Sequence, residues 1–178
     1  MSNAVAVAGA ESVSIAPESR PAAEYGGKFL TFFLDTEGYG LEILKVHEII
    51  GLLPITRVPR TPAFIRGVIN LRGKVIPVVD LRLRFGLPPV AHTDQTCIIV
   101  VEVGQIEMGI IVDRVSEVLN IGSHEIDQTP SFGVSVNTDF ILGIGKAGNR
   151  VTILLDIARV LTSTENAAVA SLATETNN

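Results

Sequence analysis

Side chains that could catalyse a reaction or hold a metal are few and widely spaced in this chain. His47, His92 and His124 lie far apart, no HExxH motif occurs, and Cys97 is the only cysteine. A zinc site needs three or four closely spaced ligands, and a cysteine nucleophile needs an adjacent base. The sequence also lacks a GxxxxGK[ST] phosphate loop and a GxSxG elbow. We therefore expect no enzymatic activity, no metal site and no cofactor.

Positive charge is concentrated at one turn. In the segment INLRGKVIPVVDLR, Arg72 and Lys74 flank Gly73 between two apolar runs. Short β-branched runs bounded by glycine indicate a hairpin, because Gly73 can adopt the positive φ of a tight turn. The fixed fork of donors on Arg72 suits a partner's carboxylate or carbonyl oxygens. The alternative is a solvated turn without a partner.

The hairpin belongs to a basic segment in an acidic protein. Between Arg57 and Arg84 seven basic residues accompany one acid, Asp80, although the whole chain carries a net charge of −5. This asymmetry favours an acidic partner with a sterically specified contact. Alternatively, the arginines lie apart in the fold and pair with acids elsewhere. A nucleic-acid surface over residues 57–84 is a third hypothesis, disfavoured by the net charge and by the lack of interleaved aromatic residues.

Short strands make up most of the chain between two polar ends. Residues 1–26 and 164–178 lack sustained hydrophobic periodicity, which predicts an N-terminal and a C-terminal tail around a module at 27–163. Brief helical turns are expected at 44–47, 62–65, 81–85 and 157–161. Strands are predicted at 29–34, 40–43, 49–58, 68–71, 75–79, 97–103, 107–112, 118–121, 140–144 and 151–155. This spacing favours small barrels or a sandwich.

The two halves of the module resemble each other. Residues 29–50 align on 98–119 and residues 67–85 on 143–161, at offsets of 69 and 76. The shared order of elements indicates two copies of one unit of about 70 residues and two similar small β-barrels; the alternative is a chance likeness of alternating patterns. Asp80 and Asp156 occupy equivalent positions before apolar helical turns, where an aspartate caps exposed backbone N–H groups.

One loop carries an aromatic residue in a polar setting. Phe132 lies in QTPSFGVSVNTDF, a segment rich in turn-forming residues. An aromatic side chain in such a loop can anchor an interface. The alternative is that Phe132 folds back onto its own barrel.

The sequence predicts a cytoplasmic protein. No run approaches 18 consecutive apolar residues, and the N-terminal segment lacks the basic start of a secretory signal. The single cysteine excludes an internal disulfide, which fits a reducing compartment.

Four segments together resemble a known family. They are YGLEILKVHEII, TPAFIRGVINLRGKVIPVVDLRLRFG, MGIIVDRVSEVLNI and ILGIGKAGNRVTILLDIARVL, and over residues 27–163 they resemble the CheW-type coupling proteins of bacterial chemotaxis. The resemblance implies two SH3-like five-stranded β-barrel subdomains. It also implies a non-catalytic adaptor that links chemoreceptor cytoplasmic tips to the regulatory domain of the chemotaxis histidine kinase. Such a protein is recruited from the cytoplasm to membrane-associated arrays, does not insert into the membrane and is a monomer outside the array.

The resemblance also implies roles for particular residues. Arg72 matches the arginine of the family's NLRG turn, and Val46 and Glu48 match its V-x-E segment; these positions are associated with receptor contact. Gly67 and Phe132 are assigned to the kinase or partner interface. At Gly67 a side chain would obstruct the close approach of two backbones.

Overall fold

The computed structural model describes residues 26–129 and 138–176 of the 178-residue chain, and strands predominate in them. Short 3-10 helices lie at Ile43–Lys45, Ser123–Glu125 and Ile157–Arg159. The described elements are, in chain order, β1 (Gly27–Leu34), β2 (Glu37–Glu42), β3 (Val46–Gly51), β4 (Ile65–Leu71), β5 (Lys74–Asp80), α1 (Leu81–Arg84), β6 (Cys97–Val103), β7 (Ile106–Val112), β8 (Arg114–Ile121), β9 (Ile126–Asp127), β10 (Ile141–Ala147), β11 (Arg150–Leu155) and α2 (Ser163–Thr176). The predicted all-β fold with short helices is confirmed.

Each predicted strand has a counterpart in the structure; β6 has the predicted ends, and the other strands have shifted ends. The helical turn expected at 62–65 is wrong: the segment is a turn in which the Ile65 N–H donates to the Pro62 carbonyl over 3.0 Å. Strand β9 has no counterpart among the predictions, because its two residues are too short to produce an alternating pattern.

The strands form two sheets, and each sheet draws on both halves of the chain. The six-stranded sheet has the order β8-β1-β2-β11-β10-β9, and the five-stranded sheet has the order β3-β6-β7-β5-β4. The β1–β2 hairpin of the first half therefore lies among strands of the second half. The β6–β7 hairpin of the second half lies among strands of the first half. The two copies of the repeat thus exchange their first hairpins.

The internal repeat is visible in the strand register. Gly40 lies opposite Leu154 in the parallel pair β2–β11, and Gly109 lies opposite Val78 in the parallel pair β7–β5. These two pairs are related by the offsets found in the sequence. A Cβ atom on Gly40 would lie 2.9 Å from Leu154 Cδ2, and one on Gly109 would lie 2.7 Å from Ile98 Cγ2. Both glycines therefore make room for an apolar neighbour.

The two equivalent aspartates cap helical turns, as predicted. Asp80 Oδ1 accepts a hydrogen bond from the Leu83 N–H at 3.3 Å, and Asp156 Oδ1 accepts one from the Ala158 N–H at 3.1 Å. Each side chain satisfies a backbone donor that the first turn of a helix leaves unpaired. Their structural role is confirmed.

A continuous apolar core joins strands of the two sheets. Complete burial of one large side chain contributes about 1.5–3 kcal/mol to the free energy of unfolding. The fully buried members of this core include Phe32, Leu34, Leu41, Val79, Leu81, Ile99, Val101, Met108, Ile110, Val112 and Val169.

The chain that leaves edge strand β3 returns to edge strand β4. Thr56 and Val68 exchange two backbone hydrogen bonds of 2.9 Å, which form an isolated bridge beyond the end of β3. The bridge brings the two edges of the five-stranded sheet together at this point. Closure of either sheet into a complete barrel stays a prediction.

The region after residue 163 is helical, which differs from the tail expected there. The Thr162 hydroxyl accepts from the Glu165 N–H at 3.2 Å, and the Glu165 carboxylate accepts from the Thr162 N–H at 2.8 Å. This reciprocal pair is a capping box, and the spacing T-x-x-E is its sequence signature. Val169 of α2 is completely buried in the core. The cap, the buried Val169 and the partly buried Leu172 therefore stabilise a helix whose sequence lacks a broad apolar face.

Burial of Val169 predicts a test of this helix. Replacement of Val169 by aspartate is expected to lower the free energy of unfolding by about 2–4 kcal/mol, because an unpaired carboxylate would enter the core. The same replacement at the exposed neighbour Ala168 should change it by less than about 0.5 kcal/mol. Urea unfolding monitored by circular dichroism measures both. Equal effects would mean that α2 does not dock.

Candidate partner-binding site

The hairpin between β4 and β5 presents Arg72 on a constrained backbone. Leu71 pairs with Lys74, so Arg72 and Gly73 alone form the turn, with φ values of 54° and 87°. Two positive φ angles are the signature of a type I′ hairpin turn. Asn70 stabilises the turn by accepting the Gly73 N–H at 2.8 Å on its side-chain oxygen. The predicted hairpin and the positive φ of Gly73 are confirmed.

The left-handed conformation of Arg72 is unusual for a residue with a long side chain. Asparagine and glycine are preferred at this position of the turn, because a Cβ atom crowds the following carbonyl. The Arg72 side chain is 68% exposed and forms an ion pair with Glu48 of β3. This hydrogen bond lowers the pKa of Glu48 and raises that of Arg72. A rigid turn therefore holds a guanidinium at the surface.

Several further charges surround this ion pair. His47 Nδ1 lies 2.5 Å from Glu107 Oε2, and His47 Nε2 lies 3.2 Å from Glu102 Oε1. Lys74 Nζ donates to Glu107 Oε1 at 2.7 Å. We refer to the six residues as the charged rim; they are His47, Glu48, Arg72, Lys74, Glu102 and Glu107.

A β-bulge brings the rim together. Val46 pairs with Val101 while Glu48 pairs with Val100, so His47 is the extra residue of β3. A bulge redirects a side chain out of the regular alternation of a strand. Hydrogen bonds to Glu107 and Glu102 raise the pKa of His47, and hydrogen bonds from Lys74 and His47 lower the pKa of Glu107. The sequence does not reveal these contacts of His47, because Glu102 and Glu107 lie more than fifty positions away.

The residues that the resemblance assigned to partner contacts differ in exposure. Glu48 and Arg72 are in contact at the surface. Val46 is half-buried and packs against the main core, and Gly67 is buried beneath Thr56. Phe132 lies outside the described residues.

Folding pairs most of the basic segment with acids. Of its seven cations, five have carboxylate partners within 4.0 Å in the described part of the chain. This is the dispersed arrangement that the sequence analysis left open, and it removes the argument for a nucleic-acid surface over residues 57–84. The pairs are Arg66–Asp80, Arg72–Glu48, Lys74–Glu107, Arg82–Asp35, Arg82–Asp113 and Arg84–Glu165.

Two exposed apolar side chains lie within a few positions of His47 and Glu48 in the sequence. Leu44, in the 3-10 helix before β3, is 90% exposed, and Ile49 of β3 is 45% exposed. The segment from Leu44 to Ile49 thus combines charged and exposed apolar side chains.

A separate cavity of about 790 Å³ lies between residues of the two halves. Tyr39 and Phe85 of the first half and Phe140 of the second form successive ring contacts at 5.7 and 5.1 Å between centroids. Arg84 and Arg159 add positive charge to its wall. None of the charged-rim residues lines this cavity, so the two features are distinct.

The described residues contain no group of three or more His, Cys, Asp or Glu side chains that could hold a metal ion. No described helix is long and apolar enough to cross a membrane.

The two-sheet fold and the charged edge define a β-sheet scaffold with a charged surface along one strand. A family model described as CheW-like domain matches residues 28–165. Chemotaxis protein CheW of Klebsiella aerogenes is 44% identical over 148 residues, covering 83% of this chain and 89% of that protein. Chemotaxis protein CheW of Bacillus subtilis is 39% identical over 137 residues, covering 76% and 87%. The crystal structure of scaffolding protein TtCheW from Thermoanaerobacter tengcongensis gives a TM-score of 0.72 at 38% identity, covering 79% of this chain and 95% of that one.

The chain therefore belongs to the CheW-like domain family. It is a non-catalytic scaffold protein of bacterial chemotaxis, which confirms the family resemblance and the expectation that it is not an enzyme.

Proposed function

We propose that this scaffold couples transmembrane chemoreceptors to the chemotaxis histidine kinase in receptor arrays. The family and the chemotaxis proteins among its relatives support a role in chemotaxis. The proposal assigns receptor contact to the charged rim and kinase contact to another face. It places the protein in the cytoplasm, as a monomer that joins membrane-associated arrays, with residues 27–163 as the binding module.

The conformation of Arg72 is the observation that carries the receptor assignment. The turn requires a positive φ at this position but not an arginine, and a strained, exposed and charged residue often marks a binding site. Glu48 engages only Nη2 of a guanidinium that has five N–H donors, so the side chain can also bind a receptor carboxylate. Glu48 orients Arg72, and exposed Leu44 and Ile49 add apolar contact area.

The remaining predicted site residues have different parts in the proposal. Val46 supports β3 from the core side. Gly67 acts on the partner surface through the close packing of residue 56 on β4. Phe132 is proposed as the aromatic anchor for the regulatory domain of the kinase.

Replacement of Arg72 by alanine tests the receptor assignment. Affinity for a receptor cytoplasmic fragment is expected to fall at least about tenfold, because a desolvated charged contact would be lost. The melting temperature should not change, because the ion pair with Glu48 is exposed. Arg150→Ala is the matched control: Arg150 is an exposed arginine beside the corresponding hairpin of the second half. Isothermal titration calorimetry measures the affinity of the wild type and both variants for the receptor fragment.

Three results would contradict this proposal. Equal binding by the wild type and Arg72→Ala would reduce Arg72 to a solvated turn residue, and an equal loss in Arg150→Ala would indicate a general charge effect. Lack of wild-type binding to both the receptor fragment and the kinase regulatory domain would contradict coupling itself.

Phe132→Ala should weaken kinase binding without affecting receptor binding.

A further inference from the structure

His47 occupies a position that requires its proton. The ring nitrogens Nδ1 and Nε2 lie 2.5 and 3.2 Å from oxygens of two different carboxylates, Glu107 and Glu102. A neutral imidazole has one N–H donor and one lone pair, so it can donate to only one carboxylate. Only the imidazolium form satisfies both contacts.

We propose that His47 is a positioning residue that makes partner binding at the charged rim depend on pH. This inference rests on the proposed function, because it concerns the same surface. Protonated His47 joins β3 to the β6–β7 hairpin beside Arg72 through hydrogen bonds to Glu102 and Glu107. Its deprotonation removes one of these two hydrogen bonds.

The distances and exposures indicate which hydrogen bond of His47 is lost on deprotonation. Glu107 uses one oxygen for His47 and the other for Lys74, so it retains a cationic partner after His47 loses its proton. Glu102 is 51% exposed and meets His47 at the longer distance. Above the pKa of His47, a lone pair would face the Glu102 carboxylate, which can turn into solvent. The charged groups that face His47 are therefore Glu107 and Glu102, with Lys74, Glu48 and Arg72 around them.

The proton also sets the net charge of the rim. Three cations balance three carboxylates while His47 is protonated, and the loss of its proton leaves one excess negative charge. An acidic partner group at Arg72 would then meet a more negative surface. Binding should therefore be strongest below the pKa of His47 and weaken as pH rises through it. The two carboxylates raise this pKa above its ordinary value, which moves the change toward neutral pH.

A nuclear magnetic resonance titration of the free protein tests the contacts directly. The His47 ring signals should titrate with a midpoint above about 6.5, the ordinary value for histidine. Glu102→Gln and Glu107→Gln should each lower this midpoint, because each removes one of the two carboxylates that hold the proton. A midpoint at or below the ordinary value in the wild type would overturn the proposal.

Binding to the receptor fragment between pH 6 and 9 tests the consequence. Wild-type affinity is expected to fall by about two- to threefold across the His47 titration, the effect of one charge at a partly screened surface site. His47→Gln, which keeps a polar side chain without the titration, should remove this component of the profile. His124→Gln should retain it.

The outcomes separate this inference from the coupling proposal. Identical pH profiles for the wild type and His47→Gln would overturn the role of His47 while Arg72-dependent binding still supports receptor coupling. Failure of the wild type to bind the fragment at every pH would overturn receptor coupling and the affinity effect together. The ring titration would still decide whether the two carboxylates hold His47 in its charged form.

Discussion

Replacement of Gly67 by alanine is expected to lower the free energy of unfolding by at least about 3 kcal/mol, or to prevent folding. A Cβ atom on Gly67 would lie 2.0 Å from the Thr56 carbonyl oxygen and 2.7 Å from its carbon. Both are backbone atoms, so no side-chain rotation can relieve the clash. Gly67 also has a φ of 141°, which L side chains rarely adopt.

The clash would break a specific interaction. Thr56 and Val68 exchange two hydrogen bonds immediately beside Gly67, and separation of these segments would leave backbone donors and acceptors unpaired. Gly73→Ala is the matched control, because Gly73 has a φ of 87° and no atom within 4 Å of a built Cβ. It should cost only the backbone strain of about 1–2 kcal/mol.

Chemical denaturation measures the free energy of unfolding of both variants. If Gly67→Ala cannot be purified, the yield of soluble protein is compared instead. A loss at Gly67 no larger than that at Gly73 would contradict the steric argument. It would also remove the basis for a structural role of Gly67 in shaping the partner surface.

Replacement of Arg82 by alanine is the second change with a large expected effect, a loss of about 3 kcal/mol in the free energy of unfolding. The Arg82 side chain is only 6% exposed, and its Nη1 contacts Asp113 at 2.6 Å and Asp35 at 3.1 Å. Its Nε donates to the Pro88 carbonyl at 3.0 Å. One guanidinium thus connects the β1–β2 turn, the segment between β7 and β8 and the linker between the halves.

Truncation would leave the partly buried Asp113 carboxylate without its cation, and this uncompensated charge causes most of the loss, whereas the more exposed Asp35 stays solvated. Arg82→Lys should be intermediate, because an ammonium group keeps the charge but lacks the planar fork of donors. Lys146→Ala is the control: Lys146 and its partner Asp127 are 51% and 58% exposed, so loss of this surface pair should cost less than about 1 kcal/mol.

Urea unfolding of the three variants tests this ranking. Equal stabilities for Arg82→Ala and Lys146→Ala would show that the ion pairs of Arg82 contribute no more than a surface pair. The arginine would then have to be assigned a role other than holding the two halves together.

Local patterns were sufficient for much of the fold. A continuous apolar run predicted strand β6 with the ends that the structure has, and Arg72-Gly73 predicted a tight hairpin. Asp80 and Asp156 predicted caps that both form. These features depend on neighbouring residues, so the sequence contains their complete physical cause.

Long-range features were not available from the same patterns. The T-x-x-E spacing of Thr162 and Glu165 predicts the start of a helix, but the composition of the C-terminal region had indicated a tail. No comparable signal marks His47, since its contacts with Glu102 and Glu107 depend on a bulge and on the pairing of three strands.

The sequence by itself determined the β class, the internal repeat, the family and the hairpin that presents Arg72, because each follows from local periodicity, turn chemistry or a matched motif. Only the tertiary structure decided that the two copies exchange hairpins, that Arg82 joins them from a buried position, and that the charged rim assembles around His47. An apolar strand carries no record of which strand it will pair with, and charges distant in sequence meet only after that pairing is complete.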